Sequence, residues 1–255
     1  MEITDSQIHF GPGGIEETLA AMDALGIKAV LADEFWGLAN WGPGYTLANG
    51  VLRVTTPTLE LAAAQYPDRF SYVRRVERLD PEVESLIRMT ADTPNARAIR
   101  ILPSLTAEEL EAFEGGGYNQ IFETAHSVGL PVFVYIAGHV ELMPPYLEKF
   151  PDLQFIVDHC GMPMEAGISF LDEETPDQAA GLNDHQGPDV AYFDQVLKLG
   201  TYPNVALKWS HAQGMFGVLN YPFTDLMPYL RQALDAFGAE RIMWASDNGG
   251  NQTGE

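Results

Sequence analysis

Eight short apolar runs, with helical periodicity in all seven intervals between them, predict an α/β fold: a (β/α)8 TIM barrel spanning residues 1–255 as a single domain. Two further observations agree. Three of the runs end in His or Asp: Asp5-Ser-Gln-Ile-His9, Phe155-Ile-Val-Asp-His159 and Ile242-Met-Trp-Ala-Ser-Asp247. Chemistry at the C-terminal ends of several different strands is the habit of a barrel, and 255 residues is an ordinary length for one. A doubly wound open sheet is the alternative. It loses support because no GxGxxG follows a strand and no Walker A sequence is present.

The elements follow in order. Residues 2–10 form the first strand, and Gly14–Gly26 a helix with Ile15, Leu19, Met22 and Leu25 on one face. Lys28–Phe35 is a strand, and 37–54, rich in Gly, Trp, Asn and Pro, a long loop. Thr58–Tyr66 is helical, Phe70–Val76 a strand, and Pro81–Ala91 a helix introduced by Asp80-Pro81. Ala96–Leu102 is a strand. Thr106-Ala-Glu-Glu109 opens a helix with a capping-box pattern, and a second helix, Asn119–Ser127, follows three glycines. Pro131–Ala137 is a strand, and Val140–Phe150 a helix disturbed by Pro144-Pro145. Gln154–Cys160 is a strand, followed by an acidic loop to about residue 188. Val190–Leu199 is a helix, Val205–Ser210 a strand, Phe223–Phe237 a helix and Arg241–Ser246 the eighth strand. No eighth helix follows before Glu255, so the chain reads as a fragment of a longer protein; the alternative, a naturally short end, would leave an apolar seam exposed.

Composition narrows the partners. Thirty-six acidic side chains against fourteen basic ones give a net charge of −22. Such a surface repels nucleic-acid phosphates and anionic membranes and leaves a small molecule as the expected partner. No apolar run reaches the roughly 18 residues of a membrane span, and no signal peptide opens the chain, so a cytoplasmic protein is expected. Cys160, the only cysteine, forms no internal disulfide. Exposed barrel helices would support a homodimer.

Strand alternation sorts the polar residues by face. Asp5, Gln7 and His9 share one face of the first strand, with His9 nearest the mouth. Arg100 shares parity with Ala96 and Ala98, Tyr135 with Phe133, His159 with Phe155 and Val157, and Asp247 with Met243 and Ala245. Plainer readings exist: each histidine as a core residue, Asp247 as a turn cap, Arg100 as an ion-pair partner. Lys208 and His211 read as scaffold, and Asp33 and Glu34 have no supporting spacing.

The motifs Asp5-Ser-Gln-Ile-His9-Phe, Ala98-Ile-Arg100-Ile, Pro131-Val-Phe-Val-Tyr135, Asp158-His159-Cys-Gly161-Met-Pro163, Asn204-Val-Ala-Leu-Lys208 and Arg241-Ile-Met-Trp-Ala-Ser-Asp247, in this order, resemble the amidohydrolase superfamily. The specific likeness is to its amidohydrolase-related branch of lactonases, decarboxylases and other hydrolases. The resemblance implies a distorted barrel with its site at the C-terminal mouth. It also implies departures. The branch usually ends its first strand His-x-His and often its fifth in His; here Gln7 and Tyr135 stand in those places. His139 lies beyond the strand and is a poor substitute.

Metal-independent lactone opening therefore becomes the expected activity, with no cofactor required. In that reading Asp247 activates water, while His9 and His159 serve the carbonyl. Gln7, Arg100 and Tyr135 bind substrate, Arg100 by pairing with a carboxylate. A carboxylated or sugar-derived lactone suits such a site. The alternatives are a hydrolase or decarboxylase using one divalent cation, zinc or manganese, on His9, His159 and Asp247, and a barrel that binds a ligand without chemistry. The loop carrying Trp36, Trp41 and Tyr45 and the loop 161–188 are placed at the mouth, either over substrate or at a subunit contact.

Overall fold

A computed structural model of the chain describes residues 2–10, 14–34, 44–163, 190–218 and 220–248. Trp36, Trp41 and most of the loop after residue 163 lie outside these residues, as does any helix beyond Asn248. The strands are β1 (Ile3–Phe10), β2 (Ile27–Glu34), β3 (Gly44–Thr46), β4 (Leu52–Val54), β5 (Phe70–Arg75), β6 (Ala96–Ile101), β7 (Val132–Val134), β8 (Phe155–Val157), β9 (Val205–Trp209) and β10 (Ile242–Trp244). All but β3 and β4 form one parallel sheet in the order β1-β2-β5-β6-β7-β8-β9-β10, so every neighbour is the next barrel strand in sequence. The helices are α1 (Gly14–Leu25), α2 (Pro57–Gln65), α3 (Val83–Asp92), α4 (Ala107–Glu114), α5 (Asn119–Val128), α6 (Pro144–Lys149), α7 (Val190–Lys198), α8 (Ala212–Met215) and α9 (Met227–Phe237).

The sheet closes just past β10. Asp247 N–H donates to the Gln7 carbonyl at 2.9 Å and His9 N–H to the Asn248 carbonyl at 2.8 Å. Ser6 Oγ donates to the Trp244 carbonyl at 2.7 Å, and Asp5 Oδ1 accepts from Ser246 N–H at 3.0 Å. The expected barrel is therefore present, its seam stitched by the same two segments that carry the first and last site residues. β1 also slips by one residue against β2 between Asp5 and Ile8. Such a bulge bends the strand and re-aims a side chain, and Gln7 lies inside it.

Two apolar shells hold the barrel. Outside the strands, Ile8, Phe10, Leu59, Phe70 and Tyr72 pack on one side and Phe113, Phe122, Val132, Phe155, Phe193 and Leu207 on the other. Fully burying each such side chain contributes about 1.5–3 kcal/mol. Inside, Val73, Ala98, Phe133, Ile156 and Ala206, with Leu31 and Met243 against them, fill the lumen. The lumen is thus a packed floor with the site above it.

Local chemistry explains most boundaries. Thr106 Oγ1 accepts from Glu109 N–H at 3.2 Å, as its capping-box pattern predicts. Pro144-Pro145 interrupts no helix: a 3-10 turn, Val140–Leu142, ends before it, and the prolines open α6, where no intrahelical N–H is needed. Glu34 accepts from Thr58 and Leu59 N–H at 3.0 and 3.2 Å, so the end of β2 caps α2. One expectation fails. Part of the loop assigned to 37–54 is the antiparallel pair β3–β4, anchored by Arg53 on Asp80 and Glu82. Three-residue strands are too short to register as alternation. Among the described residues, no helix is long and apolar enough to cross a membrane.

Candidate active site

Two residues beyond the apolar floor on six of the eight barrel strands, the inward position turns polar. Leu31 gives way to Asp33, Val73 to Arg75, Ala98 to Arg100, Phe133 to Tyr135, Ile156 to Asp158 and Ala206 to Lys208. These side chains form a ladder around the lumen. Arg75 Nη2 lies 2.7 Å from Asp33 Oδ2, and Arg100 Nη1 2.5 Å from the same oxygen. Arg100 Nε is 2.8 Å from Asp158 Oδ2, and Lys208 Nζ 2.6 Å from Asp158 Oδ1. Lys208 Nζ also donates to Gln7 Oε1 and stands 4.2 Å over the Phe133 ring. Burial alone would raise the carboxylates. Arg75 and Arg100 override it and hold Asp33 at about 2, while Arg100 and Lys208 hold Asp158 well below the carboxylate range.

Above the ladder, one carboxylate collects four nitrogens. Asp247 Oδ1 takes the Gln7 amide Nε2, with His9 Nε2 at 2.9 Å; Asp247 Oδ2 has His159 Nε2 at 3.0 Å and His211 Nε2 at 2.7 Å. An ionised carboxylate has about four lone-pair sites, and all four are met here. Burial pushes Asp247 up, but the N–H groups of His159, His211 and His9 hold it well below the usual range. Burial lowers His159 against the pull of Asp247, whereas the Asp247 hydrogen bond raises His211. The imidazoles of His159 and His211 stack at 5.7 Å, and Tyr135 meets His159 edge-on at 5.3 Å. Burial pushes the Tyr135 phenol far up, so it remains a neutral O–H.

The backbone makes this gathering happen. In the strand parity of β8, Asp158 faces inward with Ile156, so His159 should face out. It does not, because the strand ends at Val157 and His159 and Cys160 adopt φ of 51° and 56°. The turn swings His159 over the mouth and buries Cys160, whose Sγ donates to the Ser210 carbonyl at 3.7 Å. His211 and Asp247 also sit at positive φ, 50° and 56°. Left-handed backbone at non-glycine residues costs about 1–3 kcal/mol each and clusters at functional sites.

Of the residues picked from sequence, Gln7, His9, His159 and Asp247 meet directly, and Tyr135 borders them through His159. Arg100 lies lower, as a rung of the ladder: its Nε and Nη1 are taken by Asp158 and Asp33 and its side chain is 5% exposed. His211 and Lys208, read as scaffold, touch Asp247 and Gln7. Asp33, Arg75 and Asp158 carried a signal that went unread: each lies two positions past an apolar lumen residue. His139 is half-buried beside Glu141.

A family model described as amidohydrolase matches residues 41–248. The chain belongs to the amidohydrolase family. Its barrel has the architecture of solved members of that family. An L-fucono-1,5-lactonase from Burkholderia ambifaria is 26% identical over 126 residues, a match that spans 48% of this chain and 35% of that protein. An amidohydrolase from Burkholderia multivorans with bound zinc superposes with a TM-score of 0.65 at 18% identity, over 97% of this chain and 84% of that one. A 5-carboxyvanillate decarboxylase from Novosphingobium aromaticivorans, complexed with manganese and 4-hydroxy-3-methoxy-5-nitrobenzoic acid, superposes with a TM-score of 0.60 at 16% identity, over 97% and 86%. In this amidohydrolase, His159, His211 and Asp247 each offer a ligand atom, all within 4.8 Å of one another, so these three could hold a metal ion.

Proposed function

We propose that this amidohydrolase opens a sugar-derived lactone by attack of a water activated at Asp247. The observation that carries the reading is the Asp247 carboxylate, anionic and encircled by nitrogen donors at the barrel mouth. The likeness to the fucono-lactonase supports the substrate class.

The chemistry follows from the donors. His211 is the most open of them, its side chain 38% exposed against 9% and 8% for His9 and His159. A water that replaces the His211 N–H at Oδ2 faces a carboxylate relieved of one donor. Its basicity rises accordingly, because hydrogen bonds to the charged form are what depress it. Asp247 takes the water's proton as the oxygen attacks the lactone carbonyl. The second N–H of the Gln7 amide donates to the oxygen on which charge develops, while His9 and His159 keep Asp247 in place; a single well-placed donor contributes about 10²–10³ in rate. Collapse breaks the ring C–O bond, and Asp247 returns the proton to the departing alkoxide to leave a hydroxy acid.

A metal-assisted version is the second reading, favoured by the donor set alone. Two imidazoles and a carboxylate suit zinc, and His159, His211 and Asp247 would hold it. A bound ion would supply Lewis-acid polarisation of the carbonyl and a more acidic water. Proton release from a panel of aldono-1,5-lactones, with and without chelator, separates the readings. Turnover that survives the chelator and falls by about 10²–10⁴ in Asp247→Asn is the expected result. Folded protein that leaves every lactone intact, or an Asp247→Asn variant at full rate, would sink the proposal.

A further inference from the structure

We propose that Lys208 is the resident cation of this site: through the Gln7 amide it orients the donor on Asp247 and balances its charge, and it thereby disfavours a divalent ion. The inference rests on the Asp247-centred reading above and concerns a residue that reading does not use.

The first argument is orientation. Gln7 lies between a group that only donates and a group that only accepts. Lys208 Nζ is 2.5 Å from Oε1, and Nε2 donates to Asp247. Turning the amide over would set its NH2 against the ammonium and its oxygen against the carboxylate. Both contacts would repel, so Lys208 and Asp247 together permit one orientation. A Gln side chain in a bulge has no other contact that would choose it among the described residues, save the nearby His9 ring.

The second argument is charge. Along the connected chain the cations are Arg75, Arg100 and Lys208, and the anions are Asp33, Asp158 and Asp247. Counted over these six side chains, three balance three. Asp5 stands outside this count: backbone N–H groups of Gln7 and Ser246 hold it, and burial pushes its pKa up. Lys208 is 2% exposed, with its charge compensated by Asp158 and the Phe133 ring face. A divalent ion at Asp247 would add two positive charges to an interior already neutral, where charges are weakly screened.

The test uses metal alone as the probe. Zinc chloride and manganese chloride are titrated calorimetrically into chelator-stripped wild type and into Lys208→Met, Lys208→Arg and Gln7→Glu, each checked for folding by circular dichroism. Lys208→Met and Gln7→Glu remove one unit of positive charge or add one of negative charge. Each is expected to bind zinc at least about tenfold more tightly than wild type, the scale of a unit charge several ångströms away at an effective dielectric near 20. Lys208→Arg should match wild type, which a role in packing alone would not predict. Gln7→Glu leaves the Lys208–Asp158 pair in place, so the test stands even where Lys208→Met fails to fold. Equal zinc affinity in wild type and in the folded variants would overturn the proposal. No substrate enters this measurement, so failure of lactone turnover and failure of this inference are read separately.

Discussion

Single residues at the mouth and beside it differ sharply in what their surroundings do to them. Glu77, one residue past Val76 at the end of the β5 run, is desolvated and faces Glu109 and Asp80, with only Arg75 in opposition; its pKa is pushed up to about 7. In the unfolded chain it titrates near 4.5. Between these values the folded state holds the proton and the unfolded state releases it, so Glu77 makes stability fall as pH rises from about 4.5 to about 7. Glu77→Gln should flatten that limb of the Tm-against-pH curve and leave the region above pH 8 higher than in wild type. An unchanged slope would place the responsible carboxyl elsewhere. The same scale shows why Asp247 and His159 were legible in the sequence while Asp158 was not. A His or Asp ending an apolar run announces itself, whereas Asp158 stands one residue before such an end and has the opposite parity to His159. Alternation holds only as far as the strand does, and this one ends at Val157 rather than at Cys160.

At the scale of elements, all eight barrel strands were readable because a parallel strand buried on both faces is a near-continuous apolar run between turn residues. What escaped was short or long-range: the three-residue strands β3 and β4, and the lumen ladder, whose partners are up to 67 residues apart in Arg100 and Asp33. The turn after β8 is the element on which His159 depends. Gly161 sits there at φ +64°, and an added Cβ would meet Val140 Cγ1 at 2.8 Å and Val157 Cγ1 at 3.1 Å. Gly161→Ala therefore meets both a conformational cost of about 1–2 kcal/mol and a clash with buried apolar groups. It should lower Tm and also reduce activity beyond the loss of folded protein, because His159 would shift from Asp247. Normal specific activity in the folded fraction would show that the turn does not set the histidine's position.

At the scale of the whole molecule, the charge of −22 sits on a fold whose interior ladder and Asp247 together are neutral. The excess is therefore a property of the outer surface, where like charges repel and salt screens them within about 10 Å at 0.1 M. Raising sodium chloride from about 0.05 to about 0.5 M should raise Tm by screening that repulsion. A Tm that falls would mean that surface ion pairs such as Arg53–Glu82 and Arg69–Asp23 outweigh it. Composition predicted this surface directly, but said nothing of the interior, since the five ladder charges and Asp247 are a minority of the fifty charged residues.

The left-handed residues around Asp247 have an evolutionary consequence. His159, His211 and Asp247 occupy backbone wells in which glycine is at ease and these residues are not. A chain under pressure for robustness alone would drift toward glycine at all three positions, because each change relaxes a locally unfavourable turn. His211→Gly should accordingly melt higher than His211→Ala by a margin of about 1 kcal/mol, although both lose the same imidazole. Equal melting would mean that the turn imposes no such bias. If the margin holds, the mouth of this barrel is a place where durability has been given up in exchange for keeping two imidazoles on one carboxylate.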